Sequence, residues 1–127
     1  MKRSIFFHFL LTVLLSFLGT KGFAYDIAVQ NAEGITIYYN YINDGKELEV
    51  TYRINTVKHE EEYYIFDYLS YENIKEIIIP EEVTYMNRTR KVTKIGKRAF
   101  YNSKALESLT IPNTITSVEY EAFWGCI

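Results

Sequence analysis

Histidine and cysteine, the side chains most often used for metal binding and nucleophilic catalysis, are scarce in this chain of 127 residues. It has two histidines and one cysteine, which are His8, His59 and Cys126. A Zn²⁺ site needs three or four well-spaced ligands, and this set does not supply them. A Ser-His-Asp arrangement would have to use His59, but no serine lies in a G-x-S-x-G setting, and three glutamates follow His59 as part of a solvated charge run. The sequence therefore predicts no catalytic residue, no metal site and no cofactor.

Positive charge is concentrated in one stretch that has no acidic residue between Glu82 and Glu107. Six of its cationic residues are close together, namely Arg88, Arg90, Lys91, Lys94, Lys97 and Arg98. A local positive patch of this kind can bind a polyanionic glycan or an acidic partner. The alternative, which we favour, is ordinary polar decoration of a hairpin and a turn. Binding that weakens steeply with salt would identify a polyanion site.

The segment 1–24 has the organisation of a secretory signal peptide. Lys2 and Arg3 give a positive start, residues 5–18 are apolar, and Gly22-Phe23-Ala24 ends the segment. The apolar run is shorter than the roughly 20 residues that a helix needs to cross a bilayer, so we expect cleavage after Ala24 rather than a stable membrane span. Cleavage would leave 11 cationic against 16 acidic side chains, a formal charge of −5, which argues against general nucleic-acid binding. The predicted location is secreted or at the cell surface.

Residues 25–73 are predicted to form an N-terminal β capping region. Apolar and polar residues alternate on both sides of Asn43-Asp44-Gly45-Lys46. This pattern favours an antiparallel hairpin, because glycine adopts the positive φ of such a turn without steric cost. The aromatic-rich stretch from Tyr63 to Tyr71 has no clear period, and either a buried strand or an aromatic loop would fit it. A cap is expected here because the first coil of a repeat array otherwise exposes its apolar end.

The last third of the chain repeats itself at a fixed interval, which runs from Val92 to Ile115. Residues 92–104 match residues 115–127, and both copies contain an Ala-Phe pair, Ala99-Phe100 and Ala122-Phe123. The motif L-x-x-L-x-I-P between them has an earlier counterpart in residues 74–80. A fixed period in the low twenties is typical of a solenoid, whose coils bury their apolar residues against one another. We expect the proline-terminated motifs to form short strands and the Ala-Phe segments to form brief helical turns.

Two features depart from regular repetition. The first repeat carries nine extra residues between Ile79 and Val92, and a small hairpin around Met86 to Thr89 accounts for them. The sequence stops at Ile127, where the strand of another copy should begin. We therefore expect a truncated array of about two repeats that self-associates through its open end or is marginally stable, because an uncovered coil exposes apolar groups and unpaired backbone.

These repeats resemble those of the BspA-type leucine-rich repeat proteins of bacterial surfaces. The family repeat is similar to L-x-x-I-x-I-P-x-x-V-T-x-I-G-x-x-A-F-x-x-C, and residues 109–126 follow it almost step by step. The resemblance covers about residues 74–127, although Ser103 stands where cysteine is usual and Glu119 where glycine is usual. It implies a mainly β fold, with an N-terminal antiparallel hairpin cap followed by a short leucine-rich-repeat solenoid.

The resemblance also implies a non-catalytic adhesive function towards a host or bacterial surface protein. The expected contact residues are the outward positions of the repeat strands, which are Lys75, Glu76, Ile78, Glu107, Ser108 and Thr110. Three alternatives stay open at this point. The chain is also compatible with a polyanion-binding module, with a repeat fragment that has no independent function, and with a secreted enzyme that uses Cys126 or His59.

Overall fold

The computed structural model describes residues 25–58, 64–67 and 70–126, with side chains outside 55–69. The predicted signal peptide, His59 and Ile127 lie outside the described residues. Every regular element of the described residues is a strand, which confirms the prediction of a mainly β fold. Within these residues there is no helix that is both long and apolar enough to cross a membrane.

Ten strands form three sheets in the described part of the chain. The strands are β1 Ile27–Gln30, β2 Thr36–Ile42, β3 Glu47–Thr51, β4 Asn55–Lys58, β5 Tyr64–Asp67, β6 Glu76–Ile78, β7 Glu82–Tyr85, β8 Arg88–Ile95, β9 Ser108–Thr110 and β10 Ser117–Val118. The largest sheet has the order β1-β2-β3-β8-β10, and β7 also pairs with β8. The two small sheets are the antiparallel pair β4–β5 and the parallel pair β6–β9.

The chain reverses between β2 and β3 where the alternating pattern indicates a turn. Asn43, Asp44 and Gly45 all have positive φ, and the N–H of Gly45 donates to the carbonyl of Ile42 at 3.1 Å. The nine extra residues of the first repeat likewise belong to a hairpin, β7–β8. Met86 and Asn87 at its tip have φ of 49° and 62°, the left-handed values that a tight two-residue hairpin turn requires.

The parallel strands β3, β8 and β10 lie side by side, and β3 and β8 carry the core of the sheet. Leu48 of β3 pairs with Val92 of β8, and Val50 pairs with Ile95. All four side chains are buried. The capping region is therefore joined to the repeats by strand pairing, because its second hairpin strand occupies the same ladder as the repeat strands.

The two Ala-Phe segments stack on each other. The rings of Phe100 and Phe123 lie 5.4 Å apart with their planes within 6° of parallel. Ala99 and Ala122 beside them are buried. Backbone bonds reinforce the stack, since the N–H of Phe100 donates to the carbonyl of Ala122 at 2.8 Å.

The Ala-Phe segments form turns and not the brief helical turns that we expected. Arg98 and Asn102 in one copy have φ of 58° and 54°, and their equivalents Glu121 and Gly125 have φ of 59° and 77°. A left-handed residue cannot continue a right-handed helix, which is why each segment bends instead of coiling. The helical part of the prediction is wrong for this reason.

Candidate protein-binding face

The parallel pair β6–β9 places four of the six predicted contact residues on one surface, and the other two, Lys75 and Glu107, directly precede the strands. Glu76 lies opposite Ser108, and Ile78 lies opposite Thr110. Ile77, between the two outward residues of β6, is buried in the core. The alternation therefore holds in both strands, because successive side chains of a strand point to opposite faces.

Main-chain hydrogen bonds hold this surface rigidly. The carbonyl of Lys75 accepts from the N–H groups of Glu107 and Ser108 at 2.8 and 3.0 Å, and the N–H of Ile79 donates to the carbonyl of Thr110 at 3.0 Å. Lys75, Glu76, Glu107, Ser108 and Thr110 are exposed, and Ile78 is half-buried. We call these six residues the contact face.

The side chains of the contact face are unengaged. Within the described residues, none of the six forms an ion pair or a side-chain hydrogen bond. One cation, two carboxylates and two hydroxyl groups therefore stand on a fixed backbone without internal partners. Such groups can exchange water for the polar groups of another macromolecule at little conformational cost to the strand pair.

An N-terminal residue that the sequence does not single out also supports this surface. The side-chain amide of Asn31 donates to the carbonyl of Ile78 at 3.1 Å. Its carbonyl oxygen accepts from the N–H of Ile35 at 2.9 Å, within the loop that joins β1 and β2. Asn31 thus connects the loop between β1 and β2 to β6. An asparagine before a turn signals local backbone bonding, but its long-range partner is visible only in the fold.

The run of six cations is arranged differently from the contact face. The ammonium of Lys94 lies 2.6 Å from the carboxylate of Glu119 and 4.0 Å from that of Glu49. The hydrogen bond with Glu119 is the main cause that raises the pKa of Lys94. Arg98 pairs with Glu121 at 2.5 Å. Glu49 lies on the neighbouring strand β3, and Glu119 and Glu121 lie in the next repeat. All three acids are therefore distant in sequence from the cations that they contact.

The other cations of the run have mixed surroundings. Lys91 lies in register between Glu47 of β3 and Glu82 of β7. The Nε of Arg90 donates to the carbonyl of Gly45 at 2.6 Å, and its guanidinium lies 4.6 Å from the centre of the Tyr41 ring. Arg88 and Lys97 are exposed. Acidic residues therefore lie beside three of the six cations, Lys91, Lys94 and Arg98. Polyanion binding by the run stays a prediction.

Cys126 is held in the repeat stack. Its thiol donates to the carbonyl of Phe100 at 3.0 Å, and burial raises its pKa. Both effects keep the neutral thiol, whereas nucleophilic cysteines need the thiolate. No cluster of histidine, cysteine and acidic residues suited to a metal ion occurs in the described part of the chain.

Parallel strands stacked at the repeat interval, with proline-terminated short strands between them, define a protein of the leucine-rich repeat class. The model of the BspA type leucine-rich repeat region (6 copies) matches residues 51–127, more than half of the chain. The chain belongs to this family, which confirms the resemblance seen in its motifs. The match begins at the last residue of β3.

A solved leucine-rich repeat protein from Bacteroides ovatus has a similar fold. Its TM-score is 0.57, and its sequence is 24% identical to this chain. The similarity covers 80% of this chain and 21% of that protein, so this chain spans about a fifth of its length. No curated protein matches the chain.

Proposed function

We propose that this chain is a secreted or cell-surface repeat protein that binds another protein without catalysing a reaction. The observation that carries the proposal is the contact face, where Glu76 and Ile78 stand in register with Ser108 and Thr110. None of the six side chains of this face has a side-chain partner among the described residues. Membership of the BspA-type family supports a protein-binding fold. The signal-peptide pattern of residues 1–24 supports export, and the partner class is a host or bacterial surface protein.

We further infer that the two repeat copies are stacked coils of a solenoid. The stacked rings of Phe100 and Phe123 support this, as do the left-handed turn residues that recur at equivalent positions of both copies. In a solenoid, each coil presents its strand residues beside those of the next, which builds an extended surface from short strands. The contact face would be one segment of that surface.

A charge-matched pair of variants tests the contact face. The face variant is Glu76→Lys with Thr110→Glu, and the control is Glu33→Lys with Ala32→Glu in the exposed β1–β2 loop. Each would be measured by biolayer interferometry against immobilised extracellular-matrix proteins and purified bacterial surface proteins. We expect any protein that binds to lose at least about tenfold in affinity with the face variant, because the charge of Glu76 is reversed and a new charge is placed at Thr110. The control should bind like the original chain.

Two results would overturn the proposal. One is a protein ligand that binds the face variant and the original chain equally well. The other is a chain that binds none of the proteins but binds heparin, with affinity that falls steeply with salt. That outcome would favour the cationic run, since counterion release produces such a salt dependence.

A further inference from the structure

Two equivalent turns lie ahead of the parallel strands β6 and β9. In the first turn, the N–H of Ile74 donates to the carbonyl of Tyr71 at 3.2 Å, and in the second the N–H of Leu106 donates to the carbonyl of Ser103 at 3.2 Å. Tyr71 and Ser103 are both buried. Each turn is therefore fixed to the core at its first residue, and its middle residues stand at the surface.

A cavity of about 360 Å³ lies at the tips of these two turns. This volume is at the lower end of the range for ligand pockets, so the cavity suits a small molecule or one small group of a larger one. Extended back from the strands, the register of β6 with β9 places Glu72 beside Lys104. The residues that line the cavity are Glu72, Asn73, Asn102, Lys104 and Ala105.

The polar side chains of this cavity are not engaged with one another. Within the described residues, Glu72 and Lys104 form no ion pair, although they carry opposite charges and lie in register. The side-chain amides of Asn73 and Asn102 form no hydrogen bond there either. A carboxylate, an ammonium group and two amides therefore line one space, which offers hydrogen-bond donors and acceptors together.

The backbone holds Asn102 in place at the cavity. Its N–H donates to the carbonyl of Trp124 at 2.8 Å, and its carbonyl accepts from the N–H of Lys104 at 2.8 Å. Its φ of 54° is left-handed, a region that asparagine adopts more readily than most residues. Gly125, with φ of 77°, takes the equivalent position in the second copy. The turn therefore does not require the amide group of Asn102, which is available to a ligand.

The chemistry of the lining favours one of two ligand classes. A zwitterion such as a free amino acid would match the two charges, but Glu72 and Lys104 are exposed, and water and salt screen the attraction between charges in such a site. A sugar hydroxyl donates one hydrogen bond and accepts others, so adjacent hydroxyls can bond to the carboxylate, the ammonium group and the amides at once. Hydrogen bonds with one charged partner are stronger than those between neutral groups. An uncharged sugar also loses less hydration free energy on binding than a zwitterion does.

We propose that this cavity binds the terminal, uncharged sugar residue of a glycan. Glu72 accepts hydrogen bonds from its hydroxyls, Lys104 donates to them, and the amides of Asn73 and Asn102 do both. Ala105 is the one apolar residue among those that line the cavity, so little apolar surface is covered. We therefore expect a dissociation constant on the order of millimolar. The proposal does not rest on the contact face, to which none of these residues belongs.

Nuclear magnetic resonance of the isotope-labelled protein tests this site. The probes are the methyl glycosides of glucose, galactose, mannose and N-acetylglucosamine, added up to on the order of 100 mM, well above the expected constant. We expect at least one of them to shift the side-chain amide signals of Asn73 and Asn102 with a response that saturates. Because these probes carry no charge, the affinity should be the same at low and at high salt.

Variants of the lining residues separate binding from folding. Asn102→Gly keeps the left-handed turn, as Gly125 does in the second copy, and should weaken binding by about tenfold because it removes the amide. Glu72→Ala should weaken binding at least as much, because it removes a charged acceptor. Glu33→Ala is the matched control in the exposed β1–β2 loop and should bind like the original chain. The backbone amide spectrum of each variant verifies that it is folded.

Four results would overturn the proposal. The first is no saturable shift with any of the four glycosides, and the second is a Glu72→Ala variant that binds as tightly as the original chain. The third is binding of free hexoses but not of their methyl glycosides, since the end of a glycan is a glycoside. The fourth is binding of glycine at the same signals in preference to the sugars, with an affinity that falls with salt. The contact-face variant Glu76→Lys with Thr110→Glu should keep the sugar affinity, so that failure of one site is distinguishable from failure of the other.

Discussion

Five aromatic rings form a continuous column from the N-terminal hairpin to the second Ala-Phe segment. Tyr25, Tyr38, Tyr71, Phe100 and Phe123 follow one another with centroid separations of 4.8, 5.9, 5.0 and 5.4 Å. Neighbouring rings at such distances add stabilisation beyond their buried area. Because the rings come from successive parts of the chain, each of the three inner rings links the segment before it to the segment after it.

Among the repeat residues of this column, Phe100 should be the one whose loss lowers the free energy of unfolding most. It is fully buried between Tyr71 and Phe123. We expect Phe100→Ala to lower the free energy of unfolding by about 3–5 kcal/mol, since it removes buried surface and leaves a cavity. Urea denaturation measures the change. Phe123→Ala is the matched control and should cost clearly less, because that ring is partly exposed; an equal cost would contradict the column.

Two buried tyrosines should make the protein sensitive to alkali. Burial is the main cause that raises the pKa of Tyr39 and of Tyr71 above the ordinary value. A raised pKa means that the folded state holds the proton more tightly than the unfolded state. The stability is therefore fully present below about pH 10, the pKa of an unfolded tyrosine, and falls as the pH rises above it. Absorbance at 295 nm should show these phenols ionising together with the loss of the β circular-dichroism signal.

A pair of phenylalanine variants checks the origin of the alkaline unfolding. Tyr39→Phe removes one of the protons and should move the unfolding midpoint to higher pH. Tyr71→Phe removes the other, but its hydroxyl accepts from the N–H of Tyr38 and donates to the carbonyl of Thr51. That variant should lose about 1–3 kcal/mol at neutral pH, because both backbone groups are buried. Ionisation of Tyr39 and Tyr71 while the β circular-dichroism signal is retained, seen as absorbance that their phenylalanine variants lose, would contradict the prediction.

At the scale of the elements, the junction of β3 with the first repeat depends on the absence of a side chain at Gly96. The N–H of Gly96 donates to the carbonyl of Val50 at 2.8 Å. A Cβ at this position would lie 2.8 Å from that same oxygen and 3.1 Å from the Cδ of Glu49. The strands approach so closely here that a side chain would clash with the backbone. Glycine is therefore required by this close contact and not by its backbone conformation, because its φ is not positive.

Gly96→Ala should therefore weaken the joint between the hairpin and the repeats. We expect a loss of about 1–3 kcal/mol, the usual range for overpacking, measured by urea denaturation. Adding Glu49→Ala should recover only part of this loss, because a flexible carboxylate can move away whereas the Val50 carbonyl is backbone. Full recovery in the double variant, or no loss in the single one, would show that the junction is looser than the contact distances indicate.

Local signals in the sequence account for some elements and not for others. The β2–β3 hairpin is predictable because alternation and a turn residue such as Gly45 act within a few positions. The outward direction of Glu76 and Ile78 follows from the same two-residue period. The parallel pairing of Leu48 with Val92 is not predictable in this way, because it joins distant segments and has no local signature. The left-handed φ of Arg98 is also hidden, since arginine carries no preference for it.

The charge pattern shows the same division. The six cations and the two acids Glu119 and Glu121 are all visible in the sequence, but the cations and the acids lie in separate stretches of it. Only the stacking of coils places Glu121 beside Arg98, its equivalent one repeat earlier. A surface that looks basic along the chain is therefore mixed in the fold. The sequence reveals this pairing only when the two repeats are aligned before the charges at equivalent positions are compared.

At the scale of the whole molecule, the N-terminal hairpin and the repeats share a core. β3 belongs both to the hairpin, through β2, and to the parallel ladder, through β8. Tyr71 contacts both parts, since its hydroxyl bonds to the hairpin and its ring lies 5.0 Å from that of Phe100. Elements that share buried side chains in this way should unfold together rather than as separate units.

A single substitution in the hairpin should consequently destabilise the far end of the protein. Leu48 is fully buried at the pairing of β3 with β8, and Leu48→Ala should cost about 2–5 kcal/mol. The chain has one tryptophan, Trp124, which directly follows the second Ala-Phe segment. Its fluorescence therefore reports on the repeats, while circular dichroism reports on all strands. Both signals should shift to lower urea by the same amount. If the tryptophan transition kept its original midpoint while the circular dichroism shifted, the hairpin would be an independent cap, and the continuous ladder from β3 to β10 would not act as one cooperative unit.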